Sequence, residues 1–478
     1  MKKIDTQKVF AYFEELCGIP HGSYDIDRIS DHLAAFAEER GLKYVQDELK
    51  NIIIYLDATP GYEDEPVHVL QGHMDMVAVS VDGRDMKKIP VKLMNDGEYL
   101  YADGTSLGGD DGIAVAYMMA IADDESIAHP ALDLLITVNE EVGMDGAIGL
   151  DPSLLRGRRF VNLDSEDEGI FTTGCAGGVR VVATFDRNEI KAEGKEAVIR
   201  LSGGLGGHSG QMINKGRINA CVSLARVLYE LGRICEVRII SFEGGTAANA
   251  IPGEAEVSVA IPADKASEAG AFIREIEKTL KHEYHGKDDD ISIDISYTGR
   301  TADKALSAAD SRKLAAFMIA EPDGVQAMSG VVEGLVETSL NMGVIRTEEN
   351  KFTLQYELRS MIGSCVEKLK DKVILTADAF GVTTEVSSSY PEWEYREDSP
   401  LRTKMVRVFR DMYGKEPVIE VIHAGLECGV LAKKLEGFDG VSIGPDMKDI
   451  HTTNEKLSVK SVKSVWEYLI RLLETKDQ

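Results

Sequence analysis

The sequence predicts an α/β protein: a mostly parallel sheet with helices on both faces, interrupted by an inserted α+β domain of two similar halves. Two patterns carry this reading. Over roughly the first 170 residues, and again after residue 390, helix-like and strand-like segments alternate, the chain order of a covered parallel sheet. Between them, strand–helix–strand units recur at a spacing of about 92 residues. The expected domains are therefore 1–185 joined with 390–478, and 186–389 as the insertion.

In chain order, residues 5–17 place Val9, Phe10, Phe13 and Leu16 on one helical face, closed by Gly18 and Pro20. Residues 25–40 repeat the pattern with Ile26, Ile29, Leu33 and Phe36, and Gly41 stops it. Short apolar runs at 51–56, 67–70, 132–138 and 160–163 read as strands, with a helix at 112–122 between two of them. In the insertion, Thr246-Ala-Ala-Asn249 precedes a strand at 255–261, a helix at 265–280 and a strand at 291–297. Thr338-Ser-Leu-Asn341 precedes the matching series at 351–358, 365–380 and 383–389. After Pro391 come a helix at 400–413, a strand at 417–422, a helix at 428–435, a strand at 441–443 and a final helix at 458–475.

The 478 residues carry 81 acidic against 53 basic side chains, a net charge of −28, which disfavours a nucleic-acid partner because a phosphate backbone is repelled. No apolar run reaches the ~20 residues that span a bilayer. The amino-terminal stretch lacks the apolar core of a signal peptide, since Asp5, Gln7, Lys8 and Glu14 interrupt it. Six cysteines without a Cys-x-x-Cys spacing fit reduced thiols, so a cytoplasmic protein is expected.

Four strand-like runs lead into residues that bind metals or move protons: His73-Met-Asp75, Glu140-Glu141, Asp164 and, a few residues beyond its strand, His451. In open α/β sheets the functional crevice lies beyond the carboxyl ends of the strands, so these residues can converge. Asp110, where glycines give way to a helix, is a fifth candidate. Imidazoles with carboxylates suit zinc, and also manganese or cobalt, better than a thiolate set would. Five ligands, His73, Asp110, Glu141, Asp164 and His451, suffice for two divalent ions if Asp110 bridges. Two ions about 3.5–4 Å apart can share one hydroxide and polarise a scissile carbonyl. Asp75 is placed to orient the His73 imidazole, and Glu140 to pass a proton from water to a leaving amine. Each motif alone has a bland alternative: a surface His-x-Asp pair, a solvated Glu-Glu pair, a Gly-Asp turn.

Together, GHMDMV (72–77), GGDDGIA (108–114), NEEVG (139–143), NLDSED (162–167) and DIHTTNE (449–455) resemble the dinuclear-zinc metallopeptidase superfamily of carboxypeptidases, dipeptidases and deacylases. Within it the chain is most similar to aminoacyl-histidine (Xaa-His) dipeptidases, through IPHGSYD (19–25), FTTGCAGG (171–178), GLGGHSG (204–210), SYPEWEYREDSPL (389–401) and HAGLECG (423–429). The resemblance implies the same five metal ligands, with Asp75 and Glu140 as catalytic carboxylates. It makes the insertion a lid, in which His208 stabilises the oxyanion while Asn249 and Arg359 receive the substrate's carboxylate. Glu427 is expected to line the pocket, and His423 is equally readable as a packed histidine. Asp110-Asp111-Gly112 departs from a family pattern that often reads Asp-Asn-Gly, leaving Asp111 either facing solvent or tuning the bridge. The implied activity is dipeptide hydrolysis by a monomer or homodimer whose lid histidine acts in cis. N-acyl amino acid hydrolysis, or metal binding without catalysis, are the alternatives.

Overall fold

A computed structural model describes residues 6–477, so the helix start expected at residue 5 lies outside the described residues, as does Asp5 of the signal-peptide reading. Contacts divide the chain into two units. One comprises the chain to Gly174, Tyr395–Val421 and the chain from Leu426; the other comprises Cys175–Glu394 and Ile422–Gly425.

The first unit is built on an eight-stranded sheet. At its centre Leu132–Thr137, His68–His73, Arg159–Asn162 and Asp439–Ser442 lie side by side and parallel. They are buried over almost their whole length, as expected of strands covered on both faces. Antiparallel strands flank this centre: Ile52–Leu56 and Lys43–Gln46 on one side, Ile170–Cys175 on the other, with Val418–Ile422 at the edge. The helices Gln7–Cys17 and Asp27–Glu39 bury the apolar stripes read from the sequence. The helix expected at 112–122 runs from Gly109 to Ala122 and is buried from Gly109 through Ile121. A helix apolar on every side must be a core helix, and its first turn was hidden from the periodicity by Asp110 and Asp111.

The second unit carries a nine-stranded antiparallel sheet, of which eight strands make two matching halves and the ninth, Gly324–Met328, pairs with Val336–Thr347. One half contains the strands Lys195–Ser202, Arg238–Gly244, Ala255–Ile261 and Ser292–Thr301, with helices Ala220–Leu231 and Ala266–Glu283. The other contains Gly177–Asp186, Val336–Thr347, Lys351–Ser360 and Thr383–Tyr390, with helices Ala308–Ala320 and Gly363–Ala379. In each half the spatial order is fourth, first, third, second, a βαββαβ arrangement. The second strands of the two halves join the sheet at Gly244 and Ile345.

The halves are nested rather than consecutive. The outer half gives its first strand, the whole inner half follows, and the outer half is then completed. The boundary expected after residue 185 therefore falls one strand late. Gly177–Asp186 is hydrogen-bonded to Lys351–Ser360 on one side and Thr383–Tyr390 on the other. Among the described residues no helix is long and apolar enough to cross a membrane. Cys17, Cys221, Cys235 and Cys365 are free thiols.

Candidate functional site

In the first unit three neighbouring parallel strands deliver their next residues to one place. His73 ends its strand opposite Thr137. Glu140 and Glu141 begin the short helical turn that follows Leu132–Thr137, and Asp164 lies just past Arg159–Asn162. His451 sits in a loop at φ +61°, a backbone conformation uncommon for a residue with a Cβ.

The Asp110 carboxylate lies between two imidazoles: Oδ1 is 3.2 Å from His73 Nε2 and Oδ2 is 3.1 Å from His451 Nε2. Each imidazole faces a second acid, Asp164 at 3.6 Å for His73 and Glu141 at 2.9 Å for His451. The five residues singled out as ligands thus lie together, with Asp110 facing both imidazoles. Three groups here bring ligand atoms within 4.8 Å of one another: His73, Asp111 and Asp164; His73, Glu140 and Glu141; Asp110, Glu141 and His451. Borderline nitrogen and hard oxygen donors suit zinc, manganese or cobalt, so the donor chemistry fits divalent cations.

The electrostatics point the same way. Burial opposes protonation of His73, but Asp110, Asp164 and Asp75 outweigh it and hold the imidazolium well above its usual range. Hydrogen bonds to Asp110 and Glu141 push His451 up to about 10. Burial raises Asp164 to about 6, with Asp110 and Glu141 adding repulsion. A cation bound among these groups would displace their protons.

Asp75 departs from its expected contact. His73 Nδ1 donates to the Asp75 backbone carbonyl at 2.9 Å, while the Asp75 carboxylate is 3.5 Å away. That carboxylate instead accepts from Ser23 Oγ at 2.8 Å and from the Glu140 N–H at 3.0 Å. It therefore positions Glu140 as much as His73. Burial raises the Glu140 carboxyl well above its ordinary range, with Asp164, Glu427 and Glu141 contributing and His73 opposing. Burial among other acids thus favours the protonated form of this carboxyl.

Asp111 does not face solvent. It is fully buried, accepts from the His73 N–H at 3.2 Å, and leaves Oδ1 without a hydrogen-bond partner. A Cβ at Gly72 would collide with its Oδ2, which explains the glycine before His73. Burial holds Asp111 well above its usual range, and the neighbouring Asp164 and Asp110 add to this. Glu427, expected to line a pocket, is closed off from solvent: its Oε2 accepts from Gln71 at 2.7 Å and Thr137 at 2.6 Å. Burial pushes it up to about 8. Asn162 donates to Gln71 at 2.7 Å, completing a buried polar chain behind the strand ends. Gln71, Thr137 and Asn162 were missed because a polar residue inside an apolar run carries no periodic signal.

In the second unit, His208 closes a two-residue strand that pairs with Ala250–Ile251. The Ser209 N–H donates to the Asn249 carbonyl at 2.8 Å, so His208 and Asn249 are held on adjacent segments. Asn341 fixes this turn by donating to the Ala248 and Ala250 carbonyls at 2.8 and 2.9 Å. Arg359 is buried in Lys351–Ser360; Nη1 donates to Tyr390 Oη at 2.5 Å, Nη2 lies 3.6 Å from Glu357, and Nε has no partner. His423 is buried with Nε2 2.7 Å from Ser339 Oγ and Nδ1 without a partner. Burial, then the charges of Arg359 and His208, lowers His423 to about 3. His208 is lowered by the same burial and by Arg359. His423 is thus a packed neutral histidine in a basic cluster.

A parallel-centred α/β sheet presenting imidazoles and carboxylates at its strand ends, with a second antiparallel sheet inserted in the chain, offers the donor chemistry that a metal-dependent hydrolase needs. The chain belongs to peptidase family M20/M25/M40, whose model matches residues 69–475. It is 35% identical to the cytosol non-specific dipeptidase of Escherichia coli, over 99% of this chain and 98% of that one. The structure matches that of aminoacylhistidine dipeptidase from Vibrio alginolyticus with a TM-score of 0.90 at 36% identity, covering 99% and 97% of the two chains. Aminopeptidase PepT from Bacillus cereus shares the fold at a TM-score of 0.55 and 19% identity, over 98% of each chain.

Proposed function

We propose that this peptidase is a metal-dependent dipeptidase of the cytosol that uses two divalent cations, zinc foremost. The observation that carries the two-ion reading is Asp110, whose two carboxylate oxygens face different imidazoles, each backed by a further acid. One cation would be held by His73, Asp164 and Asp110, the other by His451, Glu141 and Asp110. Bound there, the cations would act as Lewis acids toward water and the scissile carbonyl. Dipeptide hydrolysis and cytosolic location are supported by the nearly full-length likeness to the two dipeptidases.

The chain's own residues supply the rest. Glu140, held through its N–H by Asp75, takes a proton from the attacking water and delivers it to the leaving amine. His208, kept neutral by its surroundings, donates to the oxyanion, and Arg359 with Asn249 receives the substrate's carboxylate. The second unit acts as the lid, and its histidine serves its own chain, so activity survives dilution to the monomer. The test is a side-by-side assay of Xaa-His dipeptides, other dipeptides and N-acyl amino acids on chelated enzyme reloaded with each metal. Hydrolysis of the dipeptides, restored by metal, is expected; turnover of N-acyl amino acids alone would overturn the reading.

A further inference from the structure

Glu455 has no part in the chemistry above, yet it is the most heavily engaged carboxylate near it. It is 4% exposed. Its Oε2 accepts from the Leu107 and Gly108 N–H groups at 2.7 and 3.1 Å, and Oε1 from the Gly109 N–H at 2.8 Å. The Asp110 N–H lies at 3.5 Å from the same Oε1. These amides open the helix Gly109–Ala122 and would otherwise lack acceptors. Gly108 at φ +72° curls them into a concave row suited to an anion, and a Cβ there would meet Met76 Sδ at 2.7 Å. Glu455 belongs to the loop that also bears His451, and its own N–H closes that loop on the Thr452 carbonyl at 3.3 Å. One side chain therefore ties the turn carrying Asp110 to the loop carrying His451.

We infer that Glu455 is a positioning residue that sets the shared carboxylate of Asp110 against His451 and so determines whether both cations bind. This rests on the two-ion reading given above. Glu455→Gln turns one acceptor into a donor facing the amide row, while Glu455→Asp keeps the charge on a shorter arm. The experiment strips wild type and both variants of metal and titrates each with Co²⁺. It follows stoichiometry and affinity by calorimetry, the visible Co²⁺ absorption, and the unfolding midpoint of the metal-free protein.

Wild type is expected to take two ions. Glu455→Gln should bind at least one of them about 10- to 100-fold more weakly, with an altered Co²⁺ spectrum, and Glu455→Asp should fall between. If Glu455→Gln does not fold, Glu455→Asp alone decides, through its affinity and spectrum. Two ions bound with wild-type affinity and spectrum by a folded variant, even one of lowered midpoint, would assign Glu455 a purely structural role and overturn the inference. A wild type that takes fewer than two ions would instead overturn the two-ion reading, and the inference with it.

Discussion

In the first unit the polar groups at the strand ends are carboxylates around two imidazoles; in the second they are Arg359, His208 and His423 on and beside an antiparallel sheet. Burial acts on both, with opposite results. His68 and His73 begin and end the same strand. His68, without a carboxylate partner, is lowered to about 4 by burial, whereas His73, within 3.6 Å of Asp110 and Asp164, is raised well above its usual range. His423, buried near Arg359, falls to about 3. Neighbouring charge therefore decides which histidines carry a proton. The first unit gathers carboxylates around its imidazoles, and the second gathers a guanidinium and imidazoles that carboxylates do not surround.

Substitutions should separate these two roles. The largest effect is expected in the first unit: Glu140→Gln should lower kcat by about 10²- to 10⁴-fold while metal content, measured by atomic emission, is unchanged. A metal-loaded variant that hydrolyses as fast as wild type would remove Glu140 from the mechanism. In the second unit, His208→Ala should cost about 10²- to 10³-fold in kcat, with metal content again intact. Arg359→Ala should appear mainly in KM, raised by about 10- to 100-fold, the equivalent of one lost charge-assisted contact. An unchanged KM for dipeptides would place the carboxylate elsewhere.

The smallest effect tests His423 through pH. Its folded value of about 3 lies below the roughly 6.5 of an unfolded histidine, so below pH 6.5 the unfolded chain binds the extra proton. Stability is complete above that value and is lost as pH falls toward 3, by about 2 kcal/mol at pH 5. His423→Asn should therefore lose about 2 kcal/mol less than wild type between pH 7 and pH 5 in urea unfolding. Equal losses would show that His423 is not held neutral.

Much of the site was legible because its chemistry is local in sequence: His73 and Asp75, Glu140 and Glu141, and the glycine-flanked Asp110 each end or open an element whose apolar pattern marks it. Asp111 was not, since nothing in Asp-Asp-Gly says which carboxylate turns toward the core. Glu455 was visible only as the last residue of DIHTTNE; its partners lie about 345 residues away, beyond any periodic signal. Glu427 was read as a pocket residue; its burial, with Oε2 held by Gln71 and Thr137, was not legible. The edge strand Lys43–Gln46 escaped because none of its four residues is fully buried, which leaves too little apolar signal to show a clear run.

The sequence by itself determined most of the elements, the fold class and a set of candidate residues for binding cations, because each depends on apolar period, turn residues and donor type within a few positions. The tertiary structure alone decided the nesting of the two halves, the tie between Glu455 and the turn carrying Asp110, and which acids are buried. Those follow from strand order and from hydrogen bonds between distant segments, where the energy of a contact depends on what folding brings beside it rather than on what adjoins it in the chain.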